Sequence, residues 1–257
     1  MDTPLRVVLW NANGLSNRKL ELQTFLNMHK IDIALISEKH FTSGTVFKIP
    51  HYTVYHSIHS DDTAHGEAAV ILRSSICHHE LLRYQSDKIQ AATIQFDARP
   101  WPLTISAIYW PPRHAISTDD YTTFFRSLGS RFLIGGDWNA KHTAWGARLT
   151  TPKGRNLLNA ISSYDCHHFS TGGPTYWPTD LTKLPDLLDF LVARGIPANF
   201  IQVEPVFLTI FWPHTSHCDN RRKYYQQNSH SNTYHDPHQL GYVSCLYQWT
   251  QKYPSKH

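Results

Sequence analysis

The chain lacks several features that would set it apart from ordinary globular proteins. Only four cysteines occur in 257 residues, and Cys77, Cys166, Cys218 and Cys245 are too scattered for zinc-ligand or Cys-x-x-Cys spacing. We therefore expect reduced thiols in an intracellular protein. No apolar run approaches the roughly 20 residues that span a bilayer, so no membrane association is expected. The N-terminus has no basic region followed by an apolar one, which argues against a secretory signal.

A large excess of one charge is also missing. The net charge is +4, from 24 Lys+Arg against 20 Asp+Glu. Residues 208–257 hold most of that excess, with five basic and two acidic residues. Global charge therefore says little about nucleic acid, and any DNA-binding face must be local. What the chain does have is a hydrophobic fraction of 41% and 8 Trp, in a length that can bury a full core.

Short apolar stretches with the character of β-strands are interleaved with helical patterns. The helices are predicted over 19–28, from 118 onward, and over 156–163; the strands are predicted over 5–10, 31–36, 52–59, 67–72, 89–96, 103–109, 132–134, 187–192 and 200–207. This mixed order favours an α/β sandwich, in which two β-sheets pack face to face with helices outside. We predict one such domain over residues 1–207.

The last fifty residues break this pattern. From Leu208 onward there are five aliphatic residues and no Ala or Glu, while His, Tyr, Gln, Asn and Ser dominate. Such a composition buries little apolar surface, so residues 208–257 are predicted to form an irregular, loosely ordered tail.

Polar side chains follow several predicted strands at the point where the strand ends. These residues are Asn11, Glu38, Tyr109, Asp137, Asn139 and, in a later strand, Asp189. Each alone has an ordinary explanation: Asp-x-Asn is usually a turn, Glu38 a solvated carboxylate, and Tyr109 a half-buried aromatic. Together they supply carboxylates to orient water and hold Mg²⁺, and amides to contact a phosphate. The set therefore predicts a metal-assisted phosphodiesterase.

Basic residues cluster after Asp137. Lys141, Arg148, Lys153 and Arg155 either form a local phosphate-contacting face or lie on a solvated approach to a helix. His142 lies close enough to Asp137 in the sequence to touch substrate, although a surface role is the simpler interpretation. The neighbouring Asp186 is interpreted as a surface or capping residue, and Asp189 is preferred as the functional carboxylate.

The ordered motifs identify a family resemblance. They are Leu9-Trp-Asn-Ala-Asn-Gly-Leu15, Ile33-Ala-Leu-Ile-Ser-Glu38-Lys-His40, Ala107-Ile-Tyr109-Trp-Pro-Pro112 and Gly135-Gly-Asp137-Trp-Asn139-Ala-Lys-His142, followed by Thr143-Ala-Trp-Gly-Ala-Arg148, Gly154-Arg155, Gly173-Pro-Thr175-Tyr176 and Pro185-Asp-Leu-Leu-Asp189. Over residues 5–207 the chain resembles the endonuclease/exonuclease/phosphatase superfamily, the fold of DNase I. More narrowly, it resembles the endonuclease domain of jockey-type non-LTR retrotransposons. The resemblance implies a four-layer α/β sandwich.

The resemblance also implies roles at the metal and the phosphate. Asn11 and Glu38 would position Mg²⁺ or Mn²⁺, and Tyr109 would contact the phosphate. Lys141, His142, Arg148 and Arg155 are our candidates for contacts to double-stranded DNA.

The remaining implied roles concern the attacking water and the product. Asp137 would orient or deprotonate the water, Asn139 would hold Asp137 and the phosphate, and Asp189 would orient a catalytic histidine. The product would be a nick with a 3′-hydroxyl. In such an element that nick primes reverse transcription of the element's RNA by a reverse transcriptase domain, which implies a nuclear location.

One expected motif is absent. The family's Ser-Asp-His on a final core strand should follow within about ten residues of Phe207, and no such pair occurs there; His214 and His217 do not follow an Asp. We hypothesise that the reading frame slipped after Phe207, and we predict that the final core strand is missing. Two alternatives stay open: an inactive remnant of such a domain, or a relative that hydrolyses abasic DNA or a small phosphoester. Translation of the coding DNA in the other two frames tests the frame hypothesis.

Overall fold

A computed structural model describes residues 5–39, 46–57, 66–81, 84, 86–97, 102–178, 180 and 182–205, together with the backbone of 242–247. In chain order its strands are β1 (Arg6–Asn11), β2 (Ile33–Ser37), β3 (Tyr52–His56), β4 (Ala68–Arg73), β5 (His79–Glu80), β6 (Gln90–Phe96), β7 (Leu103–Tyr109), β8 (Phe132–Asp137), β9 (His167–Phe169), β10 (Asp189–Arg194), β11 (Ile201–Pro205) and β12 (Tyr242–Tyr247). The α-helices are α1 (Lys19–Met28), α2 (Thr118–Ser127) and α3 (Pro152–Ser163). Within these residues no helix has the length and apolarity needed to cross a membrane.

The strands form two six-stranded mixed sheets. The first has the order β11-β12-β1-β2-β4-β3 and the second β5-β6-β7-β8-β10-β9. Their inner faces share one core, in which Leu9 and Leu35 of the first sheet pack with Ile105, Leu133 and Leu191 of the second. The parallel pairs β1–β2 and β7–β8 lie at the centre of their sheets, where apolar strands are covered on both faces.

The helices cover the two outer faces. Leu22 and Phe25 of α1 pack on the first sheet, and Phe124 and Leu157 of α2 and α3 pack on the second. The layers therefore run helix, sheet, sheet, helix, which confirms the predicted four-layer sandwich.

Local sequence signals explain where two helices begin. Ser117 caps α2 and exchanges hydrogen bonds with Asp120 in a complete capping box. Thr151 caps α3 by accepting from the backbone N–H of Gly154, and Pro152 occupies the first helical position, where a missing N–H costs nothing. The helix predicted from residue 156 thus starts one turn earlier.

The first sheet contains a strand that the sequence did not predict. β12 lies between β1 and β11 and is antiparallel to both, with Val8 opposite Ser244 and Val203 opposite Cys245. The prediction that the final core strand is missing is therefore wrong, because residues 242–247 take that position. The other residues beyond 205, including Phe207 and His214, lie outside the described part, so the slipped frame, the domain boundary at 207 and the irregular tail stay predictions.

Candidate active site

The polar strand ends meet at one rim of the sandwich. β1 and β2 end there in the first sheet, β7 and β8 end there in the second, and β10 begins there with Asp189 directly opposite Asp137. Two hydrogen bonds of 3.4 Å cross between the sheets: Asn11 Nδ2 donates to Asp137 Oδ2, and Ser37 Oγ donates to Asp189 Oδ1. The structure therefore brings the carboxylates predicted from both sheets into one site.

Asp137 is held in a fixed orientation at the end of β8. Its Oδ1 accepts the backbone N–H of Asn139 at 2.7 Å, and Asn139 has a φ of +44°, a turn conformation that Asn tolerates. The carboxyl group is only 2% exposed. Burial, followed by the negative charges of Asp189 and Glu38, raises the pKa of Asp137 well above its ordinary value.

Two glycines allow β8 to approach its neighbours at the site. A Cβ on Gly135 would lie 2.7 Å from Leu9 of the opposite sheet, and a Cβ on Gly136 would lie 2.0 Å from the carbonyl oxygen of Ile108. The Gly-Gly that precedes Asp137 is thus a packing requirement, because any side chain there would push the sheets or the strands apart.

Asp189 is equally buried and is fastened on two sides. Its backbone N–H donates to Thr175 Oγ1 at 2.9 Å, and Ser37 Oγ contacts its carboxylate. Burial raises the pKa of Asp189 to about 7 against the opposing effect of the Thr175 hydroxyl, and the charge of Glu38 adds to the increase. Sequence reasoning gave Thr175 and Ser37 no role, although each lies in one of the quoted motifs.

Glu38 lies immediately after β2 and has a partly exposed side chain. Its φ of +55° is unusual for a residue with a Cβ, and its carbonyl oxygen accepts the N–H of Gly14 at 2.8 Å. Asn11, at the end of the adjacent strand, accepts the N–H of Asn13 with its Oδ1 at 3.2 Å. The neighbouring ends of β1 and β2 thus present an amide oxygen and a carboxylate, both suitable ligands for a hard cation.

Tyr109 ends β7 opposite Asp137 and is partly buried. Its ring lies against Gly66, where an added Cβ would come within 2.0 Å of a ring carbon. Burial and the charges of Glu38 and Asp137 raise the pKa of the Tyr109 phenol, so the hydroxyl keeps its proton and can donate a hydrogen bond.

Two of the predicted basic residues converge on a buried aspartate beside this rim. Lys141 Nζ lies 2.9 Å from Asp186 Oδ2, and the Arg148 guanidinium lies 3.7 Å from the same oxygen. Asp186 Oδ1 also accepts the backbone N–H groups of Arg148 and Leu187 at 3.0 Å. The surface interpretation of Asp186 is wrong, since the residue is 2% exposed, but it does cap backbone groups.

Lys141 and Arg148 also line an open cleft next to this ion pair. Its volume is about 370 Å³, and Tyr176, Lys183 and Leu184 form the rest of its wall together with Pro178 and Thr182. Cationic and aromatic groups around a cleft suit contact with a nucleic-acid backbone.

His142 and Arg155, the other two residues predicted to contact substrate, do not line this cleft. His142 Nδ1 accepts the N–H of Ala144 at 3.0 Å, and its ring lies 5.2 Å from that of Trp145, so its described contacts are structural. Arg155 is exposed on the first turn of α3. Lys153, two residues earlier in the same turn, donates to the carbonyl oxygen of Pro111 at 2.7 Å. Burial lowers the pKa of Lys153 to about 8, although the negative charge of Asp137 partly opposes this.

The sequence is similar to those of retroelement proteins. Residues 103–194 match the Endonuclease-reverse transcriptase family. The RNA-directed DNA polymerase from mobile element jockey of Drosophila melanogaster is 34% identical over 200 residues, which cover 78% of this chain and 22% of that protein. The probable RNA-directed DNA polymerase from transposon X-element of the same species is 32% identical over 194 residues, covering 75% and 21%. This chain therefore spans about a fifth of the length of these curated relatives.

Solved structures show the same fold. The endonuclease domain of TRAS1, a telomere-specific non-LTR retrotransposon, superposes with a TM-score of 0.64 at 22% identity over 77% of this chain and 89% of that one. An AP endonuclease from Leishmania major also gives 0.64, at 11% identity over 79% and 83%. Two packed mixed sheets with helices outside are thus the DNase I-like fold of these neighbours. By sequence the chain is similar to retrotransposon proteins, and by fold to a retrotransposon endonuclease domain.

Proposed function

We propose that this domain is a divalent-metal-dependent DNA endonuclease that hydrolyses one phosphodiester bond and leaves a 3′-hydroxyl end. The observation that supports this most is the convergence of Asn11, Glu38, Asp137 and Asp189, from both sheets, on one rim. In a complete element the nick in double-stranded nuclear DNA would prime reverse transcription of element RNA by a linked reverse transcriptase domain.

The residues present fit a magnesium or manganese ion. Asn11 and Glu38 supply an amide oxygen and a carboxylate on adjacent strand ends. Within the described ranges no group of three or more His, Cys, Asp or Glu is arranged as metal ligands. Mg²⁺ is commonly held by one or two protein ligands and keeps several waters. The raised pKa values of Asp137 and Asp189 support a cation here, because its positive charge would offset the crowding of carboxylates. When bound, the ion would neutralise the scissile phosphate and stabilise the leaving 3′-oxygen.

Three residues of the chain would activate the water and contact the phosphate. In its ionised form Asp137 accepts a proton from the attacking water, and its bond to the backbone of Asn139 keeps the carboxylate oriented for this. Asn139 holds Asp137 through its backbone N–H and offers its amide to a phosphate oxygen. Tyr109, which keeps its proton, donates a hydrogen bond to a second phosphate oxygen as negative charge develops there.

The DNA backbone would be held along one side of this rim. Lys153 contributes a cation that is electrostatically coupled to Asp137, and Lys141 and Arg148 contribute two more at the neighbouring cleft. Contacts of this kind fix the register of a duplex without reading its sequence.

Nicking of supercoiled plasmid by the 257-residue chain tests the proposal. We expect nicking with Mg²⁺, none with EDTA, and at least a thousandfold loss in Glu38→Gln. Glu80→Gln is the matched control, because Glu80 is an exposed carboxylate on the edge strand β5. A folded chain that binds DNA but nicks equally slowly in all forms would refute the proposal and favour the inactive remnant.

A further inference from the structure

A fully buried ion pair lies directly behind the candidate site. Lys39 Nζ contacts the carboxylate of Glu67, and both side chains have no exposed surface. Lys39 is the residue after Glu38, and Glu67 is the residue after Gly66, the glycine on which the Tyr109 ring rests. The pair therefore joins the two segments that carry the candidate metal ligand and the support of the candidate phosphate contact.

Backbone hydrogen bonds strengthen this connection. The N–H of Lys39 donates to the carbonyl oxygen of Glu67 at 3.2 Å, and the carbonyl oxygen of Lys39 accepts the N–H of Leu15 at 3.0 Å. Gly14 donates to the carbonyl of Glu38. The segment 37–39 is thus fastened to the loop after β1 on one side and to the start of β4 on the other.

Stability alone does not account for such a pair. Two charges lose their hydration on burial, and an apolar pair of similar volume is often as stable or more so. Glu38 is at the same time held at a φ of +55°, which persists only where surrounding contacts impose it. A charge-assisted bond fixes direction and distance more tightly than apolar packing does.

We infer that Lys39 and Glu67 form a positioning pair that sets the backbone of Glu38 and the seat of the Tyr109 ring for phosphodiester hydrolysis. This inference rests on the proposed function. It assigns roles to two residues that contact neither the phosphate nor the metal.

The test replaces both charges at once, with Lys39→Met/Glu67→Leu, so that no buried charge is left unpaired. Lys39→Gln/Glu67→Gln serves if the first variant does not fold. The matched control is Asp32→Asn/Arg73→Met, which removes the Asp32–Arg73 ion pair at the opposite end of the same two strands. Thermal unfolding, plasmid nicking, Mn²⁺ binding by electron paramagnetic resonance, and amide exchange at Gly14 and Leu15 are measured for each.

We expect the folded double variant to keep its melting temperature within a few degrees. Its kcat should fall about tenfold or more, its Mn²⁺ affinity severalfold, and exchange at Gly14 and Leu15 should accelerate about tenfold. The control should leave kcat, Mn²⁺ affinity and these two amides unchanged. Wild-type Mn²⁺ affinity and exchange in the folded double variant would overturn the inference. If the wild-type chain neither nicks nor binds Mn²⁺, the proposed function fails, and amide exchange alone decides whether the pair positions this segment.

Discussion

Asp186 and Asp189 are separated by two residues, and each is 2% exposed, yet their environments have opposite effects. Burial acts to raise the pKa of Asp186, but the hydrogen bond from Lys141 and those from the backbone of Arg148 and Leu187 hold it below its ordinary value. Burial raises the pKa of Asp189 to about 7, the negative charge of Glu38 adds to the increase, and the hydroxyls of Thr175 and Ser37 only partly oppose it.

The difference lies both in the depth of burial, which is greater for Asp189, and in the partners, which are cationic only for Asp186. The charge of Asp186 is balanced by Lys141 and Arg148. Asp186 joins the segment 184–187 to the loop that carries these two residues, so its role is structural. Asp189 and Asp137 remain crowded with like charges, at a cost to folding stability. Buried carboxylates without a cationic partner are concentrated at functional sites, where they bind a cation or accept a proton.

The largest expected effect is on catalysis, at the buried carboxylates that have no cationic partner. Asp137→Asn should lower kcat for plasmid nicking by about a thousandfold or more, because the amide cannot accept the proton of water. The same change should leave the melting temperature in EDTA unchanged or higher, since it removes a buried charge. Nicking assays and thermal unfolding of one preparation check both. A large loss of stability would contradict our interpretation of Asp137.

The next effect concerns the phenol beside these carboxylates. Gly66→Ala would place a Cβ 2.0 Å from the Tyr109 ring at a φ of +60°, so we expect kcat to fall about ten- to a hundredfold as the ring is displaced. Gly129→Ala is the matched control, because Gly129 has a φ of +86° and open space around it. Both substitutions carry the cost of a left-handed backbone, and only the first should change kcat. Equal kcat values in the two variants would refute the role of Tyr109.

A smaller effect is expected at Asp186, the buried carboxylate that has cationic partners. Asp186→Asn should destabilise the fold by about 1–3 kcal/mol, because Lys141 loses its partner and two backbone donors keep only an amide oxygen. We expect KM for plasmid to rise a few-fold with little change in kcat, since the cations lose their fixed positions. Asp180→Asn, at an exposed carboxylate that caps Thr182, should do neither. Thermal unfolding and steady-state nicking measure these effects.

The smallest effect is on the pH dependence of stability, measured in EDTA. The pKa of Asp189 is raised on folding, so its contribution is present at low pH and is lost as pH rises from about 4 through about 7. The pKa of Asp186 is lowered, so its contribution is present above about pH 4 and is lost on acidification. Asp189→Asn should therefore flatten the loss of melting temperature between pH 5 and 8, and Asp186→Asn should flatten the loss below pH 4. Parallel curves for the two variants would contradict the comparison.

The rim itself was predictable because its residues lie at strand ends. A strand that stops at Asn11, Glu38, Tyr109 or Asp137 is visible as an apolar run that ends in a polar residue, and parallel neighbours bring such ends to one edge. Ser117 was visible in the same way as a local helix cap, whereas the cap at Thr151 was missed because that helix was predicted from residue 156. The sequence pattern thus predicted the layers and the meeting of these residues at one rim, while their roles stay predictions.

Long-range pairs were not predictable by these means. Lys39 and Glu67 are separated by 28 positions in the sequence, and Lys141 and Asp186 by 45. No local sequence pattern predicts either contact. β12 was missed because Tyr242–Tyr247 is a short segment within a polar stretch of sequence. Its position is set by the strands on either side, β1 and β11. Tertiary context overrides local propensity in such cases.

The position of β12 also has a consequence for synthesis. β1 pairs with it, with Arg6 opposite Leu246, so β1 must wait until 240 further residues have been made. At about 5–20 residues per second, that delay is roughly ten to fifty seconds for a nascent chain. During this time the outer edge of β1 lacks its native partner and is open to other strands, including those of neighbouring nascent chains.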